Sequence, residues 1–263
     1  MENVPTTGQM KETPEIDPAS LWSSPPESLT LGSDEVHVWR VDLCREVAHL
    51  QSFQQVLAGD ERARADRFYF EKDRQHFIVA RGLLRILLGR YLNKQPHRLQ
   101  FCYGPHGKPA LVRELGGDDL RFNLSHSNGL VLYAITRGRE LGIDLEYLRS
   151  WVSDEQIAER FFSPREVAAL RALPDHARQR AFFNCWTRKE AYIKAKGEGL
   201  TLRLDQFEVS LVPGEPAALL RTYGDPQEAS RWSLRELAPG PGYVAAVAVE
   251  GHSWQLKRWQ WPA

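Results

Sequence analysis

Sulfur is scarce in this sequence: 263 residues hold three cysteines and two methionines. Cys44, Cys102 and Cys185 form neither a C-x-x-C pair nor an even framework, which excludes a disulfide scaffold and fits unpaired thiols in a reducing compartment. There is no excess of charge either. Lys plus Arg and Asp plus Glu both number 34, so nothing global points to nucleic acid, and an anionic partner must be met by a local cluster. The chain has no apolar run long enough to cross a bilayer and no charged-then-apolar leader after Met1; no membrane association and a cytoplasmic location are expected. A Walker A loop, a G-x-G-x-x-G turn and a G-x-S-x-G elbow are also missing, which argues against the nucleotide folds and the serine hydrolases built on them.

What is present begins at about residue 34. Residues 1–33 are rich in Pro, Ser, Thr and Glu with few large apolar side chains, and are expected to form a disordered tail on which Leu21-Trp22 is a single sticky dipeptide. A strand is expected at Val36–Val41, helices around Arg45–Leu57 and from near Asp60, and a long helix over Asp73–Leu92. Strand-like segments follow at Leu99–Tyr103, Ala110–Val112, Leu120–Leu124 and Leu130–Thr136, with Asn128-Gly129 as a hairpin signal between the last two. After the strand Leu141–Glu146 come helices at Ser153–Arg160, Ser163–Ala172 and Asp175–Lys196, then strands near Gln206–Leu211, Arg231–Glu236, Tyr243–Val249 and Trp254–Trp259. The order is strand, helices, strands, twice.

The residues repeat as well. Arg67-Phe68-Tyr69 is echoed by Arg160-Phe161-Phe162, and Arg121-Phe122-Asn123-Leu124 by Arg231-Trp232-Ser233-Leu234, at a drifting spacing of about 93 to 110 residues. The expected fold is therefore α/β (α+β): two similar halves, 34–139 and 140–263, each a helix-covered, mostly antiparallel sheet, with one site at their interface.

The chemistry gathers at Leu141-Gly142-Ile143-Asp144-Leu145-Glu146. Alternation sends Asp144 and Glu146 to one face, roughly 6–7 Å apart, while Ile143 and Leu145 enter a core. Two oxygen ligands without thiolate or imidazole suit a hard cation such as Mg²⁺; the competing reading of a lone D-x-E is an edge strand with a solvated face. A third acid lies on the helix through Trp186, where Trp186, Glu190 and Lys194 share a face and Lys189 sits one step round. Viewed alone, Glu190 and Lys194 are an ordinary i,i+4 ion pair. Ser125 and His126 leave a strand into a turn, where phosphate binding and plain turn hydrogen bonding compete. Lys108 stands on a tight loop, and Arg62, Arg64, Arg67, Arg74 and Arg81 form a local basic cluster suited to a phosphate monoester or, equally, a solvated helical face. Ser163-Pro164-Arg165-Glu166 has capping-box spacing, which makes Glu166 structural.

Together GKP at Gly107–Pro109, FNLSHS at Phe122–Ser127, GIDLE at Gly142–Glu146, RFFSPRE at Arg160–Glu166 and WTRKEAYIKAKGEGL at Trp186–Leu200 resemble the 4′-phosphopantetheinyl transferases of the Sfp type, in family order. The resemblance implies Mg²⁺-dependent transfer of the phosphopantetheine arm of coenzyme A to a serine of an apo acyl or peptidyl carrier protein, releasing adenosine 3′,5′-bisphosphate. It implies Asp144, Glu146 and Glu190 as metal ligands, Glu190 also as base toward the carrier serine, and Lys194 on the leaving phosphate. Ser125, His126 and Lys108 would bind the nucleotide end, with Arg64 on the 3′-phosphate and Arg81 as a further candidate. Arg64 departs from relatives that carry lysine there, which keeps the charge and changes the geometry. Two halves in one chain make a monomer the expectation. A carrier-binding module without turnover and another Mg²⁺-dependent nucleotide enzyme are the alternatives.

Overall fold

Apolar residues run unbroken over Leu130–Ile135 and Tyr243–Val249, within two segments, Leu130–Arg137 and Tyr243–Glu250, whose inner positions are all buried. A strand with both faces apolar must be covered on both sides. The computed structural model, which describes residues 21–112, 119–149 and 154–262, shows how.

The first half comprises β1 (Glu35–Asp42), α1 (Leu43–Glu46), α2 (Leu50–Val56), α3 (Gly59–Ala65), α4 (Glu71–Leu92), β2 (Phe101–Tyr103), β3 (Pro109–Leu111), β4 (Leu120–Ser127) and β5 (Leu130–Arg137). The second comprises β6 (Leu141–Tyr147), α5 (Asp154–Phe161), α6 (Pro164–Ala172), α7 (Asp175–Lys196), β7 (Phe207–Val209), β8 (Leu219–Thr222), β9 (Trp232–Leu237), β10 (Tyr243–Glu250) and β11 (Gln255–Gln260). One sheet has the order β11-β1-β5-β4 and the other β6-β10-β9; β2-β3 and β7-β8 are separate hairpins. Every pair is antiparallel except β1 with β11.

The two main sheets pack face to face. Val36 and Val38 of β1 and Leu132 and Ala134 of β5 meet Leu141, Ile143 and Leu145 of β6 and Val247 and Val249 of β10 in one core. Residues one step along point the other way: Trp39, Val41, Val131 and Tyr133 join α4 in a second core, and Ala246 and Ala248 join α7 in a third. The layers run α4, sheet, sheet, α7. Because β6 gives its odd-numbered residues to the inter-sheet core, Gly142, Asp144 and Glu146 must face α7. Gly142 makes that approach close: a Cβ there would lie 2.1 Å from the Ala191 carbonyl oxygen and 2.3 Å from the Ala195 nitrogen.

The internal repeat extends to buried ion pairs. α4 and α7 are both 22 residues long, and Arg85 and Lys189 occupy the same position along them. Arg85 Nε donates to Glu61 Oε2 at 2.5 Å, and Lys189 Nζ to Glu166 Oε2 at 2.8 Å. Glu61 and Glu166 sit alike, each accepting a backbone N–H at the start of the preceding helix, from Ala58 and Ser163. Lys189 and Arg85 each also donate to two carbonyls of the segment after their own helix.

Several expectations change. The helix over Arg45–Leu57 is broken into α1, a 3-10 turn at Val47–His49, and α2. β4 runs on through Ser127, so the connection shrinks to Asn128-Gly129, whose φ values of 45° and 85° give the left-handed turn that a two-residue hairpin needs. β8, whose four residues LLRT carry no clear alternation, is an additional strand. The last strand of the 140–263 segment, β11, adds to the first half's sheet beside β1. The segment expected as a tail is docked at Trp22, which is buried and whose Nε1 donates to the Ala238 carbonyl at 2.7 Å. An indole packed under the Arg40 guanidinium, with its one donor satisfied, offsets the ordering of that segment. Residues 1–20 lie outside the described ones. Among the described residues no helix is long and apolar enough to cross a membrane.

Candidate active site

β4 and β6 are the facing edge strands of the two sheets, and the site lies where they meet α7. Their junction is made by side chains. Asn123 Oδ1 accepts from the Ile143 N–H at 2.9 Å, Ser125 Oγ from the Leu145 N–H at 3.2 Å, and Ser127 Oγ from the Tyr147 N–H at 3.1 Å. An edge strand otherwise exposes such donors, and here alternate residues of one strand satisfy alternate donors of the other.

Above this ladder stand the acids. Asp144 is buried; Ser125 Oγ donates to its Oδ1 at 3.0 Å, and Lys194 Nζ donates to the same oxygen at 2.6 Å. Its second oxygen, Oδ2, is buried without a hydrogen-bond partner. Glu146 is half-buried and accepts from Ser127 Oγ at 3.2 Å. Its carboxyl is held above the ordinary carboxylate range, first by burial and then by the charge of Asp144. Glu190 is raised in the same way, by burial, Asp144 and Glu146, against the opposing effect of Lys194. Glu146 and Glu190, each raised by burial and by the charge of Asp144, mark a site short of positive charge. Among the described residues no three His, Cys, Asp or Glu side chains converge on a common point. The donor chemistry nevertheless fits a hard cation: the ligands are oxygen only, and the orphaned Oδ2 of Asp144 offers a lone pair that no protein group uses.

The structure brings some expected residues to this point and commits others elsewhere. Arg64, Arg81 and His126 line a cavity of about 610 Å³ with Phe77 and Lys72. Arg64 is exposed, its guanidinium 5.3 Å from the Phe77 ring. Arg81 is buried, pairs with Glu61, donates to Tyr103 Oη at 2.8 Å and lies over the Phe101 ring at 4.1 Å. Lys108 Nζ donates to the carbonyls of Leu141 and Ala195 at 3.1 and 3.2 Å, which ties its loop to β6 and α7. That ammonium's pKa is lowered, chiefly by burial and against the pull of Glu140. Lys108 also borders a cavity of about 240 Å³ with Asn123, Glu190 and Lys194. Ser125 Oγ accepts from Leu145 N and Lys194 Nζ and donates to Asp144, so both lone pairs and its proton are in use.

Two residues within the motifs have roles that spacing does not indicate. Lys189, next to Glu190 in sequence, points away from the site into the α7 core and is wholly buried. Ser127 stands under Glu146; its alternation with Asn123 and Ser125 was the signal that could have found it.

Profiles of known families divide the chain as its two halves do. Residues 140–248 match the 4′-phosphopantetheinyl transferase superfamily, and residues 45–137 match a family described as 4′-phosphopantetheinyl transferase, N-terminal. The chain is 48% identical over 240 residues to the 4′-phosphopantetheinyl transferase HetI of Nostoc sp., covering 91% of this chain and 98% of that protein. It is 31% identical over 200 residues to the 4′-phosphopantetheinyl transferase Sfp of Bacillus subtilis, covering 76% and 84%. The human L-aminoadipate-semialdehyde dehydrogenase-phosphopantetheinyl transferase is 26% identical over 204 residues, covering 72% and 66%.

Proposed function

The chain belongs to the 4′-phosphopantetheinyl transferase superfamily, and from that membership we infer that it transfers the 4′-phosphopantetheine group of coenzyme A to a serine hydroxyl of an apo carrier protein. The serine oxygen forms a bond to the phosphorus that bears the pantetheine arm, the pyrophosphate bond breaks, and adenosine 3′,5′-bisphosphate leaves. No enzyme nucleophile is needed. Phosphoryl transfer asks for alignment, charge neutralisation and a home for one proton.

The observation that carries the reading is the Lys194–Asp144 pair, which joins α7 to the acidic face of β6 that also carries Glu146, with Glu190 on the same helix raised by both acids. We assign Asp144, Glu146 and Glu190 to one Mg²⁺ ion, which when bound supplies the positive charge that screens the pyrophosphate. Glu190 is the base that takes the carrier serine proton, and its raised pKa suits that task. Lys194 faces the phosphate that accumulates charge as it leaves. Arg64 and His126, on the cavity wall, receive the nucleotide and its 3′-phosphate, and Arg81 braces that wall through Glu61. Lys108 and Ser125 serve by holding the junction and Asp144 in place. An apolar cleft of about 260 Å³ between Glu146 and Trp186, lined by Ile157, Phe182 and Phe183, suits an aliphatic arm or an apolar side chain of the carrier. Since both halves reside in one chain, a monomer suffices, and the free thiols of Cys44, Cys102 and Cys185 support a reducing cytoplasm.

Intact-mass analysis of an apo acyl carrier protein and an apo peptidyl carrier domain, incubated with the protein, coenzyme A and Mg²⁺ with or without EDTA, tests this. A gain of one phosphopantetheine that EDTA abolishes is expected. An unmodified mass on both carriers with no coenzyme A binding would overturn it.

A further inference from the structure

Of the two acids on β6, Glu146 is the less secured. Asp144 is held on one oxygen by both Ser125 and Lys194, whereas among the described residues the Glu146 side chain takes one hydrogen bond, from Ser127 Oγ at 3.2 Å. Among the described residues no ion pair reaches Glu146. The polarity of the serine contact follows from its surroundings. The Tyr147 N–H can only donate, and it donates to Ser127 Oγ at 3.1 Å, so an oxygen lone pair is taken there. An ionised carboxylate can only accept, so the hydroxyl proton points to Glu146 Oε2. Ser127 is therefore fixed from below by the backbone of the same strand that carries Glu146. It grips the side chain and the backbone one residue further on.

The arrangement repeats one step along: Ser125 takes the Leu145 N–H and gives its proton to Asp144. At the third rung Asn123 takes the Ile143 N–H, where the strand carries no acid. Ladder and acids thus share one period. Each of the two acids on β6 has, directly across the junction, a serine anchored on the next residue's amide.

We propose that Ser127 is a positioning residue for the transferase: it holds the Glu146 carboxylate at the angle from which it reaches the metal, by spanning that carboxylate and the Tyr147 amide across the junction of the two halves. This rests on the reading above, in which Glu146 is a metal ligand. Holding a flexible glutamate in one rotamer removes the entropy it would lose on metal binding, and groups that orient metal-binding side chains in this way are worth roughly 10- to 100-fold in metal affinity.

The test measures Mn²⁺ binding by electron paramagnetic resonance of the free ion, with coenzyme A present, and separately the Mg²⁺ half-saturation of transfer. In Ser127→Ala both constants are expected to weaken about tenfold, while the KM for the carrier and the KM for coenzyme A at saturating Mg²⁺ stay within about twofold. Ser127→Thr, which keeps the hydroxyl, is expected to restore both. Should Ser127→Ala fail to give a cooperative thermal transition, Ser127→Cys replaces it: a thiol fills the junction but donates weakly, and the same loss of metal affinity is expected. Unchanged Mn²⁺ binding in the folded variant, or a loss that Thr does not restore, would overturn the proposal. A wild-type protein that binds no Mn²⁺ and transfers nothing would instead sink the transferase reading.

Discussion

Replacing Lys189 with methionine separates the fold's needs from the site's. The W-x-x-K-E pattern sets Lys189 beside Glu190, yet its ammonium is wholly buried, with Nζ 2.8 Å from Glu166 Oε2, 2.7 Å from the Leu204 carbonyl and 2.6 Å from the Phe207 carbonyl. All three of its N–H donors are used. Methionine keeps most of the stem volume and removes the charge, taking a donor from two carbonyls and leaving the Glu166 carboxylate without its counter-charge, held by neutral donors such as the Ser163 and Val209 N–H groups, both at 2.8 Å. Breaking a buried pair from one side costs about 3–5 kcal/mol, against a total stability on the order of 5–15 kcal/mol for a folded domain. Urea unfolding should show a loss in that range, and the double variant Lys189→Met/Glu166→Gln should lose less than Lys189→Met alone, because it leaves no unpaired charge and keeps an acceptor oxygen at the helix start. Folded Lys189→Met should keep the Mg²⁺ half-saturation and the coenzyme A KM of the parent. A loss below about 1 kcal/mol, or a weakened Mg²⁺ dependence, would refute the reasoning.

Other outcomes follow from the same geometry. Glu190→Gln should lower transfer by about 10²–10⁴-fold in the intact-mass assay while leaving carrier affinity in place. Because the folded protein raises the Glu190 pKa above its ordinary 4.5, the native state binds the extra proton; stability without metal should fall as pH climbs from 4.5 through that raised value, and the Gln variant should flatten this slope in thermal melts. Gly142→Ala should cost about 3 kcal/mol by urea unfolding and reduce transfer, since its Cβ meets α7 backbone atoms that cannot move singly. In Arg64→Ala the coenzyme A KM should rise about tenfold, as for loss of one charged contact, and the parent's preference for coenzyme A over its 3′-dephospho analogue should vanish; an unaltered preference would remove Arg64 from the 3′-phosphate.

Local chemistry in the sequence was enough to determine the elements that carry the acids. Period-2 alternation in Leu141–Glu146 put Asp144 and Glu146 on one face, and 3.6-residue periodicity put Glu190 and Lys194 on another. The capping box at Ser163–Glu166 formed where its spacing said, and the repeat of strand, helices and strands became two packed halves. Which way a face turns is another matter. Only the stacking of two sheets made β6 give Leu141, Ile143 and Leu145 to one core and its acids to α7. Nothing in the short segment Gln255–Gln260 says that it returns to pair in parallel with β1, because strand pairing is decided by what edge is free after the rest has packed. Lys189 and Ser127 show the same limit from opposite sides: one lies inside a motif and serves the core, the other lies at a motif's end and meets an acid nineteen residues away across the junction. A side chain's neighbours in sequence follow from covalent geometry, whereas its neighbours in space follow from burying the most apolar surface while leaving no buried donor unpaired.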